Sequence, residues 1–345
     1  MPTVTIAIVN WNGERYVEAC LSSVLAQTYQ DFEVVLVDNG SQDGSLALMK
    51  SRFPEVHLVC NQRNLGFAAA NNQAIRLSQS TYIATLNNDT VVEPAWLGEM
   101  VRTIETSPNV GMCASKMLFK RNPGVINSTG ISLDWAGIAW DRGGGDLDSP
   151  KEPAPIEAFG PCAGAALYRR RMLDEIGLFD EDFFAYLEDV DLAWRARLRG
   201  WRCLYAPTAR VYHAHSGTAV EGSAFKNYLL GRNKVFTIVK NYPAPQLCLL
   251  LPLILLYDAM FLVYALLARG DAVPIKGRLA GLRRLPRLWS KRKEVQGSRT
   301  ASVGEMTRLM SPPPGPRELR KRLQHLRELR GLLTQEKGEA TIQLE

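Results

Sequence analysis

Histidine and cysteine are scarce in this chain: 4 and 6 among 345 residues. The cysteines stand at 20, 60, 113, 162, 203 and 248, with no C-x-x-C pair. That spacing argues against a structural zinc site and against a disulfide framework, and it suits a reducing cytosol. No G-x-G-x-x-G follows the first apolar run and no G-x-x-x-x-G-K-[ST] occurs, which disfavours a dinucleotide dehydrogenase and a P-loop kinase. The start, MPTVTIAIVN, lacks a charged segment followed by a long apolar run, so no signal peptide is expected.

What is present is an ordinary globular composition, 46% hydrophobic and 22% charged. The length suits one α/β domain of roughly 230 residues with an appendage. The net charge of +6 is unevenly placed: residues 269–345 hold 18 Lys and Arg against 8 Asp and Glu, +10, which leaves residues 1–268 at −4. The basic excess belongs to the tail, where it suits anionic lipid or nucleic acid.

Along the first two hundred residues strand-like and helix-like runs alternate. TVTIAIV, EVVLVD, VHLVC and TYIATL are apolar and of strand length; helices are expected near Glu14–Gln27, Gly44–Ser51 and in FAAANNQAIRLSQ. Such alternation predicts a parallel sheet covered on both faces, with ligands outside the carboxyl ends of its strands. Those ends carry Asn10, Asn12, Asp38 and Asn87-Asn88-Asp89. A strand VGMCAS follows, then a Gly-, Asp- and Pro-rich stretch at 120–156, read as hairpins and a mobile loop, and the small-residue strand CAGAALYRR. In FFAYLEDVDLAWRARLRG, Glu188, Asp189 and Asp191 open a helix that arginines close, the polarity the backbone dipole favours. Read alone, this is as well an ordinary acidic helix start as the seat of a general base. WRCLYAP and the strand ARVYHAHS complete this part.

Taken in order, VTIAIVNWNG, VDNGSQDGS, NLGFAAANN, LNNDT, GLFDEDFFAYLEDVDLAWR and VYHAHSG resemble the inverting family-two glycosyltransferases, in their non-processive, rhamnosyltransferase-like branch. The resemblance, over roughly residues 3–240, implies an α/β fold: a GT-A-type nucleotide-sugar-binding mixed sheet flanked by helices; the apolar and basic stretches beyond it are expected to form a C-terminal membrane-associated helical region. The expected division is a glycosyltransferase domain at 1–240, hydrophobic and basic membrane-associated helices at 241–295, and a basic tail with a Pro-rich linker and terminal helix at 296–345.

The resemblance also assigns roles. A nucleotide-diphospho-sugar donor would lie across the strand ends, with Asp38 on the base and Asn10, Asn12, Asn64, Gly66, Phe67, Asn71, Asn87 and Asn88 around it. Asp89 and His213 would hold Mn²⁺ or Mg²⁺, although Asn87 stands where the family's motif has its first acid. His215, two residues on, would share the face of His213 in a strand, and which of the two binds stays open. Asp189 would be the base, with Glu188 and Gly164 on the acceptor side. Inverting transfer is one displacement at the anomeric carbon. The acceptor hydroxyl loses its proton to a carboxylate, and the departing diphosphate gains charge that a metal neutralises. Crowding three acids raises the proton affinity of at least one, and Arg195, one turn after Asp191, is expected to pair with it. No Q-x-x-R-W motif follows, so one sugar per encounter is expected.

Residues 247–267 are apolar but for Pro252 and Asp258. At ~1.5 Å per residue they just reach across a bilayer core of ~30 Å. Asp258 at mid-bilayer would cost ~3 kcal/mol, and a full span would carry the basic tail against the positive-inside tendency. A monotopic helix, or a helical hairpin kinked near Pro252, is therefore expected, peripheral on the cytoplasmic face of the cell membrane. Nine Lys and Arg against one acid between Arg269 and Lys293 would face anionic lipids. A buried dimer interface is the alternative. Beyond PPPGP, RELRKRLQHLRELRGLL has helical spacing. The expected activity is transfer of a single sugar, with rhamnose as a candidate, to a lipid-linked glycan acceptor in cell-surface polysaccharide synthesis; no nucleic-acid partner is expected. One rival is a nucleotidyltransferase, which lacks its basic Gly-rich loop here. The other is a non-catalytic membrane scaffold, against which Asp189 and His213 stand.

Overall fold

The protein's structure, a computed structural model, describes residues 1–149, 154–214 and 223–315. The helix expected after PPPGP and His215 lie outside the described residues.

Four strands form the parallel half of the sheet: β1 (Val4–Asn10), β2 (Phe32–Asp38), β3 (His57–Cys60) and β4 (Tyr82–Asn87). The helices α1 (Glu14–Leu25), α2 (Ser45–Arg52) and α3 (Phe67–Leu77) connect them. Register puts Asn10 opposite Asp38, Val9 opposite Asn87 and Asp38 opposite Cys60, so their carboxyl ends form one rim. Alternation along β1 divides the core. Ile6 and Ile8 pack with Val17, Leu21, Trp96 and Met100 on one face, while Ala7 packs with Ala68, Ile75 and Trp194 on the other.

The chain then adds β5 (Thr90–Val92), α4 (Trp96–Glu105), β6 (Val110–Phe119), β7 (Asn122–Ser128), a two-stranded pair β8 (Ile131–Leu133) and β9 (Ala139–Asp141), β10 (Ile156–Ala158), β11 (Ala165–Arg169) and α5 (Arg170–Ile176). A 3₁₀ turn, Glu181–Phe183, leads to α6 (Glu188–Leu198) and β12 (Arg202–His213). The main sheet runs β10-β12-β6-β11-β4-β1-β2-β3, with β5 on β12 and β7 on β6. Because β11 is antiparallel to β4 and β6, the sheet is mixed. One strand, β12, covers both the end of WRCLYAP and the start of ARVYHAHS as far as His213; its register against β6 jumps between Ala206 and Arg210, where Pro207 cannot donate to the ladder.

Helices α7 (Ala224–Asn241), α8 (Ala244–Arg269), α9 (Val273–Leu282), α10 (Leu285–Gly297) and α11 (Val303–Arg308) follow. Helices α7 and α9 touch through glycines: a β-carbon at Gly231 would come 2.8 Å from the Pro274 carbonyl oxygen. Leu288 of α10 packs on Phe183 and Phe236, and the chain returns to place Ala301, Met306 and Met310 in the core.

Helix α8 corrects two expectations. It runs unbroken through Pro252, which forfeits a single hydrogen bond in 26 residues, and the chain reverses instead at Gly270, in the left-handed conformation. Asp258 faces the protein, with Oδ1 2.9 Å from Lys234 Nζ and 2.7 Å from Arg278 Nη2, so its charge does not face lipid. The opposite stripe, Leu249, Leu256, Met260, Val263 and Leu267, is exposed, Leu267 by 79%.

Candidate active site

The rim of β1, β2 and β4 is tied by amides. Asn10, fully buried, donates from Nδ2 to Asp38 Oδ1 (3.0 Å) and Ser45 Oγ (2.9 Å), and its Oδ1 accepts from Asn88 Nδ2 (2.7 Å). Asp38 Oδ2 accepts from Ser41 N at 3.0 Å. Asn12, at φ +50°, accepts from Gln42 N at 2.8 Å. Asn64 Oδ1 accepts from Gly66 N (2.8 Å) and from Asn39 Nδ2 (2.9 Å). These residues form one polar ledge along the strand ends. Two others turn away from it: Asn71 Nδ2 bonds the Phe67 carbonyl within its own helix (3.0 Å), and the Phe67 ring packs edge-on to Phe179.

At the end of β4 the chain turns through Asn87-Asn88-Asp89 into β5, whose antiparallel pairing puts Thr90 opposite His213. That register brings Asp89 Oδ1 to 3.1 Å from His213 Nε2. On the other side of the ring, Asn127 Oδ1 lies 2.8 Å from Nδ1. In the tautomer whose Nδ1–H donates to Asn127, the Nε2 lone pair would face the carboxylate. Two electron-rich atoms facing each other suit a cation between them, with the ring orientation fixed from behind, as for metal-ligating histidines. One oxygen and one imidazole nitrogen fit Mn²⁺ or Mg²⁺. Among the described residues no cluster of three or more His, Cys, Asp and Glu side chains is placed to hold a metal.

The acidic stretch lies one step away. Asn87 N bonds Gly164 O at 2.9 Å, and a β-carbon on Gly164 would lie 3.0 Å from Asn87 Nδ2, so glycine lets that amide lie flat on the turn. The same turn donates Ala163 N to Asp189 Oδ2 (3.2 Å), while Val190 N reaches Oδ1 (2.8 Å). Every residue of α6 except Asp189 is buried.

The three acids part company electrostatically. Burial pushes the Asp189 carboxyl up to about 6 against the pull of two backbone N–H groups, with Asp141 adding to the rise. Glu188 is raised well above its usual range by burial, then by Asp189, and its Oε2 has no hydrogen-bond partner among the described residues. Burial would also raise Asp191, but Lys240 and Arg195 outweigh it and hold the carboxyl low, with Nζ at 3.0 Å and Nε at 2.9 Å. The expected Asp191–Arg195 pair is thus present and structural.

One rim of the mixed sheet thus carries a polar ledge, a carboxylate–imidazole pair and a half-buried carboxylate of raised pKa. The chain belongs to glycosyl transferase family 2, whose profile matches residues 5–177. It is 26% identical over 236 residues to the N-acetylglucosaminyl-diphospho-decaprenol L-rhamnosyltransferase of Mycobacterium tuberculosis, covering 61% of this chain and 76% of that one. It is 27% identical over 227 residues to the O-antigen biosynthesis protein RfbC of Myxococcus xanthus, covering 63% of this chain and 18% of that one. Among solved structures it resembles the mannosyltransferase PcManGT of Pyrobaculum calidifontis in complex with GDP-Man and Mn²⁺. The TM-score is 0.52 at 19% identity, over 86% of this chain and 85% of the other. The chain spans 18% to 60% of the length of four of the curated relatives it matches. The GT-A fold expected from the motifs is the fold observed.

Several organising residues were not anticipated from the sequence. Asn39 ties the end of β2 to the loop after β3, accepting from Asn61 Nδ2 and Leu65 N and donating to Asn64. Asn127 stands behind His213 although 86 positions separate them. The only sequence signal for Asn39 is its D-N-G turn; N-S-T at 127 reads as any strand end.

Proposed function

We propose that this glycosyltransferase moves one sugar, with inversion, from a nucleotide-diphospho-sugar to a lipid-linked glycan acceptor in cell-surface polysaccharide synthesis. Asp189 acts as the base. The observation that carries this reading is the Asp189 carboxylate: half-buried, anchored by Ala163 N, one turn from the Asn87–Asp89 loop, and raised toward neutrality. A base poised near the working pH is charged often enough to act and basic enough to take a proton.

Asp38, Asn12 and Asn64 on the polar ledge hold the donor's nucleoside, and Asp89 with His213 hold Mn²⁺ or Mg²⁺ at its diphosphate, where the metal would neutralise leaving-group charge. Asp189 removes the acceptor hydroxyl proton as that oxygen attacks the anomeric carbon. Glu188, whose carboxyl burial biases toward the protonated form, stands beside Asp189 on the acceptor side. Support for a lipid-linked acceptor comes from the decaprenol-linked substrate named for the mycobacterial relative.

The same reading places the protein peripherally on the cytoplasmic face of the cell membrane. Helix α8 has the length and hydropathy to cross a bilayer, but Asp258 is held inward by Lys234 and Arg278. With that face of α8 tied to α7 and α9, the helix lies along the surface, its apolar stripe toward lipid and the cations of α9 and α10 beside anionic headgroups.

The test is release of nucleoside diphosphate from a panel of UDP-, GDP- and dTDP-sugars with Mn²⁺ or Mg²⁺ and a lipid-linked acceptor extract. Turnover with one donor, lost in Asp189→Asn and in Asp89→Ala, is expected. Wild-type turnover in Asp189→Asn would refute the role given to that residue.

A further inference from the structure

The segment that delivers the acids is held in an unusual backbone. Phe184 has φ +65° and ψ −66°, and Ala185 N bonds Phe183 O at 2.8 Å, a γ-turn of the rare, strained hand. Tyr186 (φ +69°) and Leu187 (φ +67°) follow, also left-handed and also not glycine. Among the described residues Asn12 is the only other non-glycine with positive φ. Such conformations persist only where the surroundings fix them, and they gather at functional sites. Glu188 and Asp189 come next in the chain.

In this backbone the carbonyls of Phe183, Ala185 and Tyr186 converge on one point, where their dipoles would repel unless a donor stood there. Asn233, fully buried on α7, is that donor. Its Nδ2 lies 3.0 Å from Phe183 O, 2.9 Å from Ala185 O and 2.7 Å from Tyr186 O. Its neighbour Arg232 donates from Nη2 to Asp182 O (3.0 Å) and Phe183 O (2.7 Å), and from Nε to Asn233 Oδ1 (3.0 Å). From the donor side, Ala68 N bonds Phe184 O at 3.1 Å. Leu187 O in turn accepts from Asp191 N, so the first turn of α6 is built on the end of this segment.

We infer that Asn233, backed by Arg232, is a positioning residue for the transfer reaction: it holds the strained 183–187 segment so that Glu188 and Asp189 face the acceptor. It sits 44 positions beyond Asp189, and its side chain is engaged by this segment and Arg232. It acts through the segment, not on substrate. The inference rests on the reading of Asp189 as the base.

The experiment compares wild type, Asn233→Ala, Asn233→Ser, Asp189→Asn and the double variant Phe184→Gly/Asn233→Ala. Nucleoside-diphosphate release gives kcat, donor KM and the acid limb of the pH profile, and hydrogen–deuterium exchange is followed over residues 183–189. Asn233→Ala is expected to lower kcat at least tenfold with donor KM within threefold, to move the acid limb, and to speed exchange over 183–189. Serine, which keeps one donor, is expected to lose less, and is the variant to read if alanine does not fold. Glycine adopts the conformation of Phe184 freely, so the double variant is expected to regain at least threefold in kcat over Asn233→Ala. An unchanged kcat and acid limb in the Asn233 variants, or unchanged exchange over 183–189, overturns the inference. Wild-type turnover in Asp189→Asn overturns the base assignment instead, and the exchange data then still report whether Asn233 holds the segment.

Discussion

Gly66 and Phe184 meet so closely that a β-carbon on residue 66 would lie 2.6 Å from the Phe184 carbonyl oxygen and 2.7 Å from its ring. The glycine also sits at φ +90°, which side chains disfavour. The donor-side loop and the segment before the acids therefore touch through the one residue type that fits. Gly66→Ala is expected to cost about 1–3 kcal/mol of stability and to lower kcat beyond what lost folded protein explains. Urea midpoints with kcat per folded molecule check this; a variant with wild-type values for both would show that the contact is idle.

Asp189 gives a pH prediction with a definite sign. Its folded value of about 6 lies above the ordinary 3.8, so the folded protein binds this proton more tightly than the unfolded chain. Above pH 6 the half-buried charge costs stability, up to about 3 kcal/mol, and the cost fades as pH falls toward 3.8. Asp189→Asn should thus raise the urea midpoint at pH 8 and leave it nearly unchanged at pH 4. It should also cut kcat by about 10²–10⁴, while wild-type kcat falls below pH 6. Destabilisation at pH 8 would mean the carboxylate is a structural anchor.

The parallel half of the sheet was legible because TVTIAIV, EVVLVD and TYIATL are two-faced apolar runs of strand length, and strand ends then name Asn10, Asp38 and Asp89. The Asp191–Arg195 pair was legible because a helix brings residues four apart together. Asp258 was misread for a physical reason: in one dimension it interrupts an apolar run, while its partners Lys234 and Arg278 come from two other helices. Asn127 and Asn233 left no trace for a similar reason. Amides that bond a histidine ring or backbone carbonyls tens of residues away follow no periodicity.

Lys240 bridges Asp180 at 2.7 Å and Asp191 at 3.0 Å, all three nearly inaccessible to solvent. Removing the cation leaves two buried carboxylates short of a partner, so Lys240→Met is expected to destabilise by about 3–5 kcal/mol near neutral pH. Asp191 is held below its ordinary value, and its contribution is present above 3.8 and lost as pH falls further. The penalty of Lys240→Met should accordingly shrink in acid. Chemical denaturation at pH 7 and pH 3 measures both, and an equal penalty at the two would contradict the assignment.

Asn127 fixes the ring of His213 from the side away from Asp89. Removing such an outer partner typically costs about 10–100-fold in metal affinity. Asn127→Leu should therefore raise the Mn²⁺ concentration for half-maximal turnover by that factor, with kcat at saturating metal close to wild type. Mn²⁺ titration followed by electron paramagnetic resonance gives the same affinity without turnover; an unshifted binding curve would leave Asn127 a packing residue.

The exposed stripe of α8 is the place to separate lipid from solvent as its neighbour. Leu256 and Met260, 56% and 49% exposed, sit one turn apart on the face away from Asp258. A glutamate at either touches no buried group, so the fold should tolerate it, while a charge driven against acyl chains should not be tolerated by the membrane. Leu256→Glu and Met260→Glu are expected to reduce co-sedimentation with vesicles rich in phosphatidylserine at least tenfold, with an unchanged melting temperature. The basic helices α9 and α10 should add a salt-sensitive share, because the screening length shrinks from about 10 Å at 0.1 M to about 3 Å at 1 M. Binding lost in salt but kept in both glutamate variants would assign attachment to the cations alone. Binding kept under both treatments would return α8 to the alternative of a protein–protein interface, which sedimentation velocity would then reveal as a dimer that the same glutamates break.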